Sequence, residues 1–433
     1  MKSFAAMKLI EKTFVLILLL IFAGIVVHAP LSVGVSSVLP DYDLLIKSWK
    51  EILLLLAGGL LLVILQRKKL LSILKHPVLV LAALYAAVHV IMILPLWNGA
   101  LASVAGLMID LRFVLFFALV YIAIYLYPFL RQTFIKVGIV GAVVVVTFGF
   151  LQVFVLPPDI LSYIGYDDDT ISPYLTIDKN TDYVRINSTL RGPNPLGAYA
   201  MTVLAILLAA MLKGKKYIQG RWKSVGLSAL AVLAIVTLWF SYSRSVALAA
   251  LVTFIVIVGM TVARKLPVWA WVCSAAVVFG LIGGLLLARD TPFVSNVILH
   301  ENPSGGSSVS SNDQHAESLA EGISRLLTQP FGAGIGSTGS ASYFTDAPFI
   351  MENYYLFIAH EVGWIGLGLF AALFILIMKK LWIRRSDWLA VGVFASGIGL
   401  AIVGLVLPVW ADDTVSIIWW GLAAVTIGGK SNG

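Results

Sequence analysis

Charge is scarce in this chain. Asp, Glu, Lys and Arg together make up 12% of its 433 residues, about half the share of a soluble domain. Set against 60% hydrophobic residues, that scarcity excludes a soluble enzyme, a disordered protein and a fibrous repeat. Cysteine is nearly missing as well. Cys273 stands alone in an apolar run, so no intramolecular disulfide and no cysteine-based metal site can form. What the chain has instead is apolar runs of about 18 residues or more along its whole length, the mark of a polytopic membrane protein.

Twelve spans are predicted, at about 13–29, 49–66, 77–96, 101–127, 133–156, 195–212, 224–241, 244–263, 267–288, 352–378, 388–408 and 414–428. The last is short and interrupted by glycine, which leaves eleven as the alternative. The first follows Lys2, Lys8 and Lys12 but lacks a small-residue cleavage site, so it reads as a retained span and not a signal peptide. The expected fold is therefore all-α: a transmembrane helical bundle forming one integral membrane domain over 1–433.

Acids are almost absent from alternate loops. With the N-terminus inside, those loops collect Lys2/Lys8/Lys12, Arg67/Lys68/Lys69/Lys75, Arg131/Lys136, Lys213/Lys215/Lys216/Arg221/Lys223, Arg264/Lys265, Lys379/Lys380/Arg384/Arg385 and Lys430, which is 21 of the 30 Lys and Arg. Only Glu11 and Asp387 of the 22 acids join them. This asymmetry follows the positive-inside rule and predicts both termini in the cytoplasm. The net charge of +8 then sets orientation and sits near anionic lipid, with no nucleic acid implied.

The cytoplasmic connections are short and carry no nucleotide-binding motif. On the other side two segments are long, about 157–194 and 289–351, and loops of that length are usually functional or disordered. Within the second, Ala316, Leu319, Ala320, Ile323, Leu326 and Leu327 recur at helical spacing, with Glu317, Glu321 and Arg325 opposite. This predicts an amphipathic helix over about 314–329, lying on the membrane or covering a cavity. A Ser- and Gly-rich stretch precedes it. After it comes Pro330-Phe-Gly-Ala-Gly-Ile-Gly-Ser-Thr-Gly339, whose glycines Gly334 and Gly336 serve either close packing or the presentation of backbone N–H groups to an anion.

Nine cations remain off the cytoplasmic side: Lys47, Lys50, Arg112, Lys179, Arg185, Arg191, Arg244, Arg289 and Arg325. Arg191 stands at the mouth of a span, next to Asn194. Arg244 lies in the tight turn Ser241-Tyr-Ser-Arg-Ser245 with no acid near it in sequence. Such arginines either snorkel to lipid phosphate or clamp a pyrophosphate, whose oxygens suit the guanidinium fork. Arg325 could join them or simply pair with Glu321 at i,i+4. Candidate bases are His315, in the amphipathic stretch, and Glu352, which with Asn353 opens the tenth span and could take a proton from a hydroxyl. Glu361 falls within the tenth span, and an intramembrane acid is a suspect by position. Asp110 and Arg112 cannot face each other, so each needs a partner on another helix. Asp41/Asp43 and Asp167–Asp169 invite a metal reading, against the simpler one of solvated loops.

Four motifs in order carry a resemblance: Arg191-Gly-Pro-Asn-Pro-Leu-Gly197, Ser243-Arg244-Ser245, the glycine-rich stretch from Pro330, and Glu352-Asn-Tyr-Tyr-Leu356 followed by Gly363 and Gly366. With twelve spans and a long outer loop before the tenth, the chain resembles the O-antigen ligase / O-antigen polymerase superfamily. The resemblance implies a metal-independent glycosyltransferase without a cofactor, in the bacterial inner membrane. It would move a glycan from an undecaprenyl-pyrophosphate donor to a glycan, lipid or protein acceptor at the outer face. Arg191 and Arg244, and less closely Arg325, match the pyrophosphate-binding arginines. The ligase branch has His-Asn where this chain has Glu352-Asn353, so Glu352 or His315 would act as base. The rival readings are a transporter or flippase, expected to show repeats and broken helices, and a metal-dependent lipid-linked transferase using Asp41 and Asp43.

Overall fold

The computed structural model describes residues 4–177, 179–214, 220–262, 267, 284, 287–291, 294–299 and 311–429, with backbone only at 5, 297–299 and 311–315. The span expected at 267–288 therefore falls almost wholly outside the described residues, as does the side chain of His315.

The helices in chain order are α1 (Leu9–Gly24), α2 (His28–Val38), α3 (Asp43–Lys47), α4 (Trp49–Lys68), α5 (Pro77–Met92), α6 (Ala100–Leu126), α7 (Leu130–Phe154), α8 (Pro193–Lys213), α9 (Arg221–Phe240), α10 (Arg244–Thr261), α11 (Ser311–Thr328), α12 (Tyr354–Ile383), α13 (Trp388–Val403) and α14 (Asp413–Ile427). Among the described residues eight helical segments are long and apolar enough to cross a membrane, α1 and α2 together counting as one, while α5, α13 and α14 are shorter. That is eight where about twelve were expected. The remainder are the three short helices and the 267–288 run.

Helix α14, which reads from sequence as the weakest span, is buried from Thr414 to Ile427 on every face. A helix apolar all round belongs inside a bundle, and its indoles Trp419 and Trp420 pack with Trp410, Phe374, Phe113 and Phe117. At one end of the bundle the basic loops converge. Lys68 pairs with Glu11 at 2.6 Å, Arg131 pairs with Asp387, and Arg384 donates to the carbonyls of Thr426 and Gly429 at 2.6 and 2.7 Å. These bonds bring the described chain near Glu11, Lys68, Arg131, Arg384, Asp387 and Gly429 to that end.

Two features depart from the expected all-helical reading. The loop at 157–194 contains a two-stranded antiparallel hairpin, β1 (Leu175–Ile177) and β2 (Asn180–Arg185), with Leu175 opposite Arg185. And α12 is not one straight rod. Val362 (φ −127°, ψ 17°) and Gly363 (φ +66°, ψ −167°) break it. The Tyr354 and Phe370 rings are 5.5 Å apart, although 16 residues of straight helix would separate them by about 24 Å. The first two turns therefore fold back on the rest, with the apex at 362–363.

The glycine-rich segment docks on that apex. Its backbone bonds run Ala333 N to His360 O at 2.5 Å, Gly334 N to Glu361 O at 3.2 Å, and Trp364 N to Pro330 O at 2.9 Å. Asn98 Nδ2 donates to the carbonyls of Ala333 and Ile335 at 3.0 and 3.2 Å. Irregular backbone packed among apolar helices is tolerated only when protein satisfies it in this way. Gly336 has φ +79° and its backbone lies against Ala102 of α6, where a Cβ would not fit.

The apex yields a test. At Gly363 the φ/ψ pair is open essentially to glycine alone, a cost of about 1–3 kcal/mol for another residue, and an added Cβ would strike the Pro330 carbonyl. Gly363→Ala should lower the thermal unfolding temperature in detergent, followed by tryptophan fluorescence. Gly368→Ala, five residues on with open space around it, should leave it unchanged.

Candidate functional site

At the end of the bundle opposite the basic loops lies a cavity of about 310 Å³. Its polar lining comes from Arg112 of α6, Arg191 and Asn194 at the start of α8, Ser340, and Asp412 before α14, set among apolar residues such as Met351, Phe357 and Leu407.

Each of these groups is fixed by local chemistry. Pro193 holds the first position of α8, where its missing N–H costs nothing. The four residues before Arg191 are all buried. Ser188 N–H donates to Gln152 Oε1 at 2.7 Å, Ser188 Oγ to the Val145 carbonyl at 2.6 Å, and Thr189 Oγ1 to the Val26 carbonyl at 2.6 Å. The chain thus reaches Arg191 already locked, and Arg191 Nη2 donates to Ser340 Oγ at 3.2 Å. Asp412 is the N-cap of α14, its Oδ1 accepting Val415 N–H at 2.9 Å, the role short oxygen-bearing side chains fill best.

Behind Asp412 runs a buried charge network. Asp413 Oδ2 lies 3.2 Å from Lys50 Nζ and 3.1 Å from His28 Nε2. Lys50 is 3.3 Å from Glu51 Oε1, which is 3.6 Å from Arg112 Nη1. Arg112 also donates to the Ala411 carbonyl. Arg112 therefore has its partners on other elements, as its position required. Two buried cations meet two buried anions, which is how such charges are tolerated, and Asp412 is left over to face the cavity beside Arg191. Burial pushes the Asp412 carboxyl up to about 6; the Asp413 carboxylate adds to the rise, while the Val415 N–H, Arg112 and Arg191 oppose it.

The remaining sequence candidates are spread around this cavity. Arg244 is the first residue of α10, in the turn next to the mouth of α8. Arg185, at the end of β2, bridges the two by donating to the Ser241 carbonyl at 3.0 Å and to Asn194 Oδ1 at 2.7 Å. Arg325 pairs with Glu321 at 2.6 Å and stacks 4.2 Å from the Phe349 ring, the local pairing its spacing allowed. Glu352 does not open α12. Asn353 is the N-cap, its side chain accepting from Tyr355 N and Leu356 N at 2.9 and 3.0 Å, and Glu352 precedes it. Glu352, Arg325 and Arg244 are not among the residues that line the cavity. Gly336 N–H points to Glu361 Oε1 at 3.0 Å, so this amide serves an anion of the protein itself. Asp43 pairs with Lys47 at 2.8 Å, and Asp167 accepts from the backbone of Asp169 and Thr170.

Helix α11, at Ser311–Thr328 where 314–329 was expected, turns its apolar stripe outward: Leu319, Ile323 and Leu327 are 42%, 44% and 68% exposed. It packs instead through Gly322, against Met351 and Leu356. Met351 is also a wall of the cavity.

Sequence reasoning missed Asp412 altogether and gave no role to Arg185. The signal for Asp412 was an acid pair immediately before an apolar run, an N-cap pattern. No protein-family model matches the chain, and no curated protein matches it either.

An acid whose folded value is raised from 3.8 to about 6 favours folding when protonated. The stability it contributes is held at low pH and lost as pH rises through about 6. Asp412→Asn keeps the N-cap and should flatten that limb of the unfolding-temperature profile, with stability at neutral pH equal to or above wild type.

Proposed function

We propose that the protein is a glycosyltransferase of the O-antigen ligase/polymerase type, acting on a lipid-pyrophosphate-linked glycan at the outer face of the bacterial cytoplasmic membrane. In this reading the chain crosses the membrane about twelve times, with both termini inside. The observation that carries it is the cavity in which Arg112, Arg191 and Asn194 face Asp412. Displacing a pyrophosphate needs fixed positive charge where negative charge develops, and the attacking hydroxyl needs a base.

Arg191, with Arg244 on the adjoining turn, receives the pyrophosphate oxygens. Asp412, whose carboxyl burial pushes up to about 6, takes the hydroxyl proton as the acceptor oxygen bonds to the anomeric carbon and the carbon–oxygen bond to pyrophosphate breaks. Asp412 thus takes the role first given to Glu352 or His315. The exposed stripe of α11 rests in the membrane surface, as an amphipathic helix with one apolar face does.

A transporter of lipid-linked or small polar substrates is the second reading, favoured by the break in α12 at Val362–Gly363, since broken helices build many transport sites.

The test is glycan transfer in proteoliposomes without added metal, from an undecaprenyl-pyrophosphate oligosaccharide to candidate acceptors. Wild type should form product, and Arg191→Ala and Arg244→Ala should each lose roughly 10²–10³-fold in rate. Arg325→Ala should lose far less. Product that vanishes with EDTA would favour the metal-dependent alternative. Movement of the donor across the bilayer with no covalent product would favour the transporter.

A further inference from the structure

Outside the cavity, the apex of α12 brings together buried polar groups that the proposed transfer does not use. Glu361 is 1% exposed and Asp110 of α6 is 1% exposed, and their carboxyls lie within hydrogen-bonding reach of each other. Glu361 Oε1 accepts Gly336 N–H at 3.0 Å, and the Thr338 N–H also reaches this carboxyl. Among the described residues, Glu361 Oε2 and both oxygens of Asp110 have no donor.

Among the described residues no lysine or arginine is paired with either carboxyl. His89 of α5 is fully buried, and its Nδ1 lies 2.8 Å from the Tyr85 carbonyl. With Nδ1 as the donor, Nε2 faces Asp110 Oδ2 at 3.8 Å, beyond hydrogen-bond distance. Arg112, two residues along α6, spends its terminal nitrogens on Glu51 and Ala411. Tyr85 and Tyr354, both fully buried, lie beside the two carboxyls with their hydroxyls close to each other. Two adjacent buried carboxylates, neither paired with a lysine or arginine among the described residues, strongly disfavour being ionised together. One proton placed between them would also give the orphaned oxygens the donor they lack.

We infer that Asp110 and Glu361 form a proton-binding site, holding one proton between them at neutral pH. The pair then carries a single negative charge, and its proton ties α6 to the apex of α12. Loss of the proton sets two negative charges side by side and pushes α6 from the apex. The glycine-rich segment hangs from Glu361 through Gly336, and a few residues on it supplies Ser340 beside Arg191. The site therefore governs the cavity wall from behind, without touching anything bound in the cavity.

Infrared spectroscopy of the full chain in lipid nanodiscs tests this without reference to transferase or transport activity. Wild type at neutral pH should show the carbonyl stretch of a buried protonated carboxyl, shifted down in D2O. Asp110→Asn and Glu361→Gln should each abolish it, because the near-isosteric amide donates to the surviving carboxylate and replaces the proton. The inference fails if wild type lacks the band or if the band persists in both variants. It also fails if sodium at constant pH removes the band, since the pair would then be a metal-cation site. Thermal unfolding gives a second reading. Wild type should lose stability as the pH turns alkaline while Glu361→Gln stays flat, and parallel curves would overturn the assignment.

Discussion

A peptide backbone taken into an apolar bundle must have every N–H and C=O satisfied, and the glycine-rich segment after α11 meets that constraint by bonding to the broken apex of α12. The other features near it follow. Gly363 permits the reversal that exposes the carbonyls of His360 and Glu361. Gly336 permits close approach to α6, and Asn98 takes two further carbonyls. Only then can Ser340 stand beside Arg191 and Met351 form the wall between the cavity and α11.

Electrostatics organises the same end of the molecule. Lys50, Glu51, Arg112 and Asp413 are drawn from three helices and balance among themselves, with His28 as a fifth member. Because that network closes on itself, Asp412 and Arg191 remain available to what enters the cavity. At the opposite end, single pairs such as Lys68–Glu11 join neighbouring helix termini. The two ends differ in kind: one network is continuous and buried, the other a set of local clasps.

Much of the bundle was legible in the sequence, because a bilayer demands long apolar runs and those runs stand out against so little charge. The pairing of Arg325 with Glu321 was legible too, being local. Contacts set by distant chain were not. The α12 run is apolar on both sides of His360–Gly363, so periodicity reads one helix where there are two arms, and only the glycines at 363, 366 and 368 hint at the turn. Helix α11 was placed correctly, but its packing face centres on Gly322, a residue with no side chain to announce it. Asp412 carries no local motif beyond an acid pair, and its meaning comes from Arg191 and Arg112, some 220 and 300 positions earlier in the chain. The β-hairpin was hidden because only nine residues form it, in a loop rich in turn formers.

The position of α14 has a consequence for how the protein is made. Its Asp413 completes the charge network begun by His28 and Lys50, and the turn before it supplies Pro408, Val409, Ala411 and Asp412 to the cavity. These are the last elements of the described chain to leave the ribosome. Until they insert, Lys50 lacks its Asp413 partner, Arg112 lacks the Ala411 carbonyl, and the cavity has no wall on that side. A nascent chain halted after α13 would therefore hold a half-built pocket with unbalanced charge.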